Sequence, residues 1–344
     1  MRLPIYKSLY DIVKNNSHRE NKMDNRSITQ TTAQNKPKNM LSKFFTYIKR
    51  HWALYAMLAP GFIILLIFSY VPMYGITLAF KSYSPSLGIL KSEWVGLENY
   101  EYVFSNDGFF DLTFNTLRLG VLTLIFGFPS SIVMALMINE LQALKFKKVV
   151  QTISYIPYFI SWVVISGMAY SLFSKDYGLI NAYLKTLGLQ PVFWYATPKV
   201  WPALLTAIGI WKSVGWGTIA FLANMTAINP DLYEASVVDG ANRWRQTIHV
   251  TVPGIMPIIS MTFILTLSKI VQDDFEKIYA LVGTNSMLYE TTDVLGTWSY
   301  RTMYSSFSNY GDVTAVQFLQ GIIGFILIVI GNAIVKKTDN QPLF

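Results

Sequence analysis

Ionisable side chains are rare in the apolar stretches of this sequence, so the few that occur there mark where chemistry is possible. Lys212 lies within Ile210-Trp211-Lys212-Ser213-Val214-Gly215-Trp216-Gly217, near the middle of an apolar run, which calls for a polar cavity or a buried partner. Arg118 sits one turn into another run, near its end, where its guanidinium can reach an interface by snorkelling. Lys269, Gln272, Asp273 and Asp274 cluster at the end of a third run, and an ion pair among them accounts for their charge. Tyr155, Tyr158 and Trp162 recur at i, i+3, i+7 and so share one helix face; with Pro157 and Ser161 they form a polar-aromatic strip, either core packing or the lining of a pathway.

None of these sets is catalytic. The sequence holds no GxxxxGK[ST] phosphate loop, no nucleophile elbow, no HExxH and no close carboxylate pair within an apolar run. It has no cysteine, which excludes disulfides, thiol catalysis and cysteine metal sites. Its three histidines, His18, His51 and His249, are too scattered for a His-based metal site. A chain with no metal, no cofactor of its own and no catalytic residues is expected.

The elements that carry these residues are membrane spans. Of the 344 residues 52% are apolar and only 14% charged, against about 25% charged in a soluble domain, and this points to an all-α integral membrane protein. The net charge of +8 could suggest nucleic acid, but the basic residues stand beside apolar runs, as the positive-inside rule requires. Residues 1–40 read as a disordered tail and 41–52 as an interfacial lead-in, or else as the start of the first span. Six segments have the length and composition to cross a bilayer: 53–80, 114–138, 149–173, 201–225, 253–270 and 313–335. The tail and the connections 139–148, 229–252 and after 335 hold eighteen Lys and Arg, the other three connections eight. Both termini and the 229–252 loop are therefore expected on the cytoplasmic side.

That loop is a polar interruption. Asn229-Pro230 reads as a helix start, Asp231 and Glu234 place negative charge in the first turn, and Asp239-Gly240 breaks the helix. Ala241 to Val250 reads as a second short helix with Arg243, Arg245 and His249, and Pro253 begins the next apolar run. Two short helices at a sharp bend between spans form a docking element. On the opposite side, the connection 269–312 carries six acidic residues with Tyr279, Tyr289, Trp298, Tyr300, Tyr304 and Tyr310. Rings beside carboxylates and amides suit a sugar, although interfacial aromatic belts have the same composition.

Tyr233-Glu234-Ala235-Ser236-Val237-Val238-Asp239-Gly240-Ala241, with Pro253 after the second helix, resembles the EAA loop of bacterial ABC importer permeases; Ser236 replaces the second Ala of that pattern. The stretches Tyr70–Pro85, Ser92–Tyr100, Val149–Val164, Trp211–Thr218 and Tyr289–Arg301 resemble the carbohydrate, LplB-like branch, which serves oligosaccharides released from complex polysaccharides. The resemblance implies a six-span, type I (MetI-like) permease in the bacterial cytoplasmic membrane, with a coupling helix seated in an ATPase subunit. Glu234, Ala235, Ser236, Asp239, Gly240, Ala241, Arg243 and Pro253 would make that contact. It further implies a second, related permease, two cytoplasmic ATPase subunits that bind ATP and Mg, and an extracellular solute-binding protein. Topology then places the sugar at the middle of the third to fifth spans, with Tyr158, Trp162, Lys212, Ser213, Trp216, Thr266 and Lys269 as candidate contacts. Should Lys212 and Lys269 both face the cavity, an acidic sugar such as a uronate fits, since ammonium groups offset a carboxylate at that depth. Gln317 and Gln320 depart from the Ala/Gly-rich opening of the family's last span, which leaves open whether they face the pathway.

Two other classes make different demands. An ion-gradient transporter predicts carboxylates buried at the midplane and inverted repeats, and neither is visible. A membrane enzyme acting on lipid-linked sugars predicts paired carboxylates or a metal cluster, for which the unpaired acidic residues of 269–312 are the only candidates.

Overall fold

The structure, a computed structural model, describes residues 47–305 and 309–337. The tail 1–40 and the first half of the lead-in 41–52 lie outside the described residues. The chain divides into two compact units, 1–73 and 74–344. In the first, the helix Trp52–Leu65 runs into a π-turn over Leu66–Tyr70, and its large apolar side chains are exposed, as suits a surface facing lipid or another subunit.

The described residues are mostly helical, with four apolar spans, or six if each of two bent pairs is counted as one. Four single helices are long and apolar enough to cross a membrane: Trp52–Phe80, Phe109–Asn139, Pro198–Met225 and Tyr310–Lys337. Two further segments are bent pairs, Leu144–Phe159 with Trp162–Phe173 at 98°, and Arg243–Gly254 with Met256–Val271 at 63°.

Both bends have local causes. In the third span Pro157 sits in a 3-10 turn over Ile156–Phe159, Ile160 is extended, and Ser161 restarts the helix by accepting a hydrogen bond from the Val164 N–H. In consequence Tyr158 and Trp162 lie on different legs, and the single face predicted from i, i+3, i+7 spacing does not exist. In the fifth span, Pro257 follows the bend. Its ring cannot stack on the carbonyl of Pro253 and it donates no hydrogen bond, so the axis breaks at Ile255. The Ile255 side chain is fully buried with Ala135, Phe221, Leu222 and Met225, which anchors the bend.

The fifth span also begins ten residues earlier than expected. Asn242 caps a helix that runs unbroken from Arg243 through Pro253 to Gly254. The predicted second short helix of the loop is thus the first leg of the span, and Pro253 lies inside it instead of starting a new one. The sequence pattern was misleading here because a proline is tolerated wherever the preceding turn is loosened, and Thr247–Thr251 forms such a π-turn.

Close helix packing holds the centre. A Cβ at Gly215 would overlap the backbone carbonyl of Ser154, so the fourth span approaches the first leg of the third at backbone distance. On the side of the connections predicted to be outside, Leu119, Phe173, Trp201, Leu205, Ile278 and Leu288 form one core. Buried Asn181 ties the 174–200 connection together through Val192, Trp194, Ser174 and Lys175. A short antiparallel pair, Lys81–Ser82 with Glu93–Trp94, closes the 81–108 connection, and Asn99 donates to the carbonyls of Ala79 and Lys81 beneath it.

Candidate functional site

Two regions answer to the predicted functional residues. The first is a series of cavities. One, of about 540 Å3, is lined by Tyr158, Ile160, Ser161 and Trp162 at the break of the third span, and by Lys212 and Ser213 of the fourth. Thr123 and Gly127 of the second span and Asp274, Glu276 and Lys277 also line it. A second cavity of about 410 Å3 takes in Thr266, Lys269, Gln272 and Asp273. The two share Thr123, Asp274 and Lys277. Along the second span the smaller cavity touches Leu119 and Gly120 and the larger one Gly127, so they lie in series along that helix.

The structure therefore brings Tyr158, Trp162, Lys212 and Ser213 together, with Thr266 and Lys269 in the adjoining space. Trp216 stands behind them: its indole stacks on the Tyr158 ring at 4.4 Å and 4°. Lys212 is not an open charge. Its ammonium donates to the carbonyl of Tyr158 at 2.8 Å and to that of Ile160, and lies 5.2 Å from the centre of the Trp162 ring. Those carbonyls end the first leg of the third span, where a helix accumulates partial negative charge and unpaired acceptors. Lys212 is thus a cap for a broken helix, a role that sequence spacing gave no means of finding. Ser213 donates to the Gly209 carbonyl and Thr266 to that of Thr262, each within its own helix.

The ion pairs at the end of the fifth span also differ from the simple expectation. Lys269 is exposed, and Asp274 pairs instead with Lys277, 3.6 Å away. Asp273 accepts the Gly296 N–H at 2.7 Å; burial pushes its carboxyl up, against the lowering effect of that hydrogen bond. Arg118 does not snorkel. It donates to Asn115 at 2.9 Å and to the Thr291 carbonyl, pinning the 289–292 turn onto the second span.

A third cavity of about 380 Å3 shares Gln272 and Asp273 with the second and is lined by Ser299, Tyr300, Gln317 and Gln320. Both glutamines thus face a cavity, although Gln320 also donates to the Val271 carbonyl at 2.7 Å. Phe275, Tyr279, Tyr300 and Tyr304 line up beside it with successive ring centres 4.7 to 5.2 Å apart. Behind this face Asp293 and Arg301 form a two-pronged ion pair at 2.8 and 2.6 Å. Burial draws the Arg301 guanidinium down, and Asp293 with Tyr289 more than offsets it, leaving the pKa raised. Burial likewise pushes the Tyr195 phenol up to about 12.

The second region is the 229–252 loop. Asn229 caps the helix Pro230–Val238 by accepting the Asp231 N–H, and Gly240 ends it at φ +77°. Glu234, Ala235 and Asp239 are exposed; Ser236 donates to the Tyr233 carbonyl, and the Ala241 N–H closes the turn onto the Ser236 carbonyl. The Tyr233 hydroxyl meets Thr251 at 2.9 Å, bracing the helix against the first leg of the fifth span. Arg243 is paired with Glu140 at 3.4 Å, and the same carboxylate accepts from Thr247, so the loop is tied to the end of the second span. The charges stand out in the sequence, but apolar residues of the loop are exposed as well: Leu232, Val237, Val238 and Trp244, Val238 at 88%. Apolar residues in a stretch capped at both ends by polar residues were the available signal.

Comparisons with known proteins bear on both regions. The family model described as "Binding-protein-dependent transport system inner membrane component" matches residues 119–337. The chain is similar to Protein LplB of Bacillus subtilis (strain 168), 37% identical over 297 residues, 86% of this chain and 92% of that one. It is likewise similar to the polygalacturonan/rhamnogalacturonan transport system permease protein YteP of the same organism, 38% identical over 291 residues, 85% and 90% of the two chains. A chain in the crystal structure of a bacterial ABC transporter involved in the import of the acidic polysaccharide alginate is 35% identical, with a TM-score of 0.78 over 87% of this chain and 100% of that one.

Proposed function

The chain belongs to the binding-protein-dependent inner-membrane permeases of ABC importers, and from that membership we propose that it carries oligosaccharides of acidic polysaccharides into the cell. As such a permease it is a non-catalytic transport subunit, and the ion-gradient and membrane-enzyme readings fall away. The substrate class rests on one combination: cavities in series that join aromatic rings to lysines, in a chain similar to permeases for polygalacturonan/rhamnogalacturonan and alginate. Rings stack on sugar C–H faces, amides and hydroxyls bond to sugar hydroxyls, and ammonium groups offset uronate carboxylates.

In this reading the ATP and Mg sit in two cytoplasmic ATPase subunits, and both termini lie on the cytoplasmic side. The loop docks through exposed Leu232, Val237 and Val238 of the helix Pro230–Val238 and Trp244 of the leg that follows, with Glu234 and Arg245 beside them. Arg243 and Tyr233 act differently, bracing the docked helix onto the second and fifth spans. Closure of the ATPases then moves those spans as rigid bodies. A second permease supplies the other half of the pathway, and a solute-binding protein delivers the sugar. The test is uptake into proteoliposomes holding the full transporter and its binding protein, with a galacturonate trisaccharide against neutral maltotriose. Uptake of the uronate alone supports the reading; uptake of maltotriose alone, or of neither, sinks it.

A further inference from the structure

Three lysines approach the cavities, and they differ in what they have left to offer. Lys212 is committed to two backbone carbonyls, and Lys269 stands exposed at one wall of the smaller cavity. Lys277 was not anticipated, because it lies in the connection after the fifth span. It is 7% exposed and lines both cavities. Lysines are almost never so buried without a partner.

Its bonding is incomplete. Among the described residues, the only partner of its ammonium is the Asp274 carboxylate at 3.6 Å, too long for a hydrogen bond. An ammonium has three donors to place, and Lys277 donates to no carbonyl as Lys212 does. Asp274 is also a divided partner: its other oxygen caps the helix Phe275–Val282 by accepting the Lys277 N–H at 3.3 Å, and its side chain is 46% exposed. Lys277 stands in the first turn of that helix, where the dipole disfavours a cation. Opposite it the fourth span presents Gly209; a Cβ there would lie 3.7 Å from the ammonium, so the missing side chain leaves room in front of the charge.

We propose that Lys277 is the specificity-determining carboxylate contact of the pathway: its ammonium leaves Asp274 to bind the carboxylate of a uronate residue passing between the two cavities. Thr123, Asp274 and Lys277 border both spaces, so a sugar moving from one to the other passes this group. A neutral sugar has no charge with which to displace Asp274. The proposal rests on the acidic-oligosaccharide reading above and adds the residue that recognises the acid.

The test uses the complete transporter with its binding protein in proteoliposomes and a galacturonate trisaccharide as probe. Uptake and ATP hydrolysis stimulated by the loaded binding protein are read together, since stimulation requires a folded, docked permease. In Lys277→Met, uptake should fall at least about tenfold, corresponding to about 1.4 kcal/mol, with stimulated hydrolysis kept. Lys277→Arg, which preserves the charge, should restore most of the uptake. Asp274→Asn keeps the helix cap but releases the lysine, and should leave the KM for the uronate unchanged or lower. Undiminished uptake in Lys277→Met, or a raised KM in Asp274→Asn, overturns the role of Lys277 and leaves the acidic-oligosaccharide reading standing. Failure of the wild-type transporter to move the uronate overturns both.

Discussion

The ammonium of Lys212 in the fourth span stands 2.8 Å from the Tyr158 carbonyl, at the end of the first leg of the broken third span. A lysine that would otherwise be an unexplained charge in an apolar helix closes the acceptors exposed by a 98° bend. The stacked pair Tyr158 and Trp216 and the 540 Å3 cavity lie beside this contact.

Lys212→Met should therefore act on stability. Hydrogen bonds to charged groups contribute about 1.5–3 kcal/mol, and a loss of that order is expected. Thermal unfolding of the purified transporter should show a lowered Tm, whichever sugar is used to measure transport. Unchanged stability with altered sugar preference would assign Lys212 to the substrate instead.

Gly215 is a second point of close approach. Gly215→Ala drives a methyl into the Ser154 backbone and should destabilise the protein by about 1–3 kcal/mol, as overpacked sites do. Gly167, with nothing within 4 Å, is the control: Gly167→Ala should be neutral in the same unfolding assay.

Asp273 gives a dependence on pH. Burial raises its folded pKa above the ordinary 3.8, so the folded state holds the proton more tightly than the unfolded one. Its contribution to stability is full below the unfolded pKa and is lost as pH rises through the folded value. Asp273→Asn keeps an acceptor for the Gly296 N–H and removes the charge. The variant should show a flatter Tm profile across the acid range just above 3.8, with no loss of stability at neutral pH.

The apolar, helical character of the chain, the Asn229 cap and the Gly240 break were legible because each depends on a few consecutive residues. The two bends were not. Pro157 and Pro257 were visible, but whether a proline kinks or merely tilts a span depends on what receives the freed carbonyls, and Lys212 lies 54 residues from Tyr158. Lys277 escaped notice for the same reason: only the folded chain brings the turn after the fifth span back between the second and fourth. In the loop, charge drew attention to Arg243, whereas its partner Glu140 stands 103 residues away.

The loop also supplies a prediction of its own. Val238→Asp puts a carboxylate at the most exposed of its apolar residues. It should weaken ATPase association, read as a raised Kd between the purified permease pair and the ATPase subunit. Leu232→Asp should do the same.

If this importer permease is coupled through this loop, ATP hydrolysis drives uptake through it. The measurement is ATP-dependent uptake of a galacturonate trisaccharide by the reconstituted transporter, wild type against Glu234→Lys and Gly240→Val. Gly240→Val forces a branched residue into φ +77°, a strain of about 1–2 kcal/mol at the turn that sets the helix end. Coupling through the loop predicts saturable uptake that requires ATP and binding protein in the wild type, with uptake and stimulated hydrolysis lost together in both variants. Uptake without ATP, or wild-type transport and hydrolysis in both variants, would contradict it.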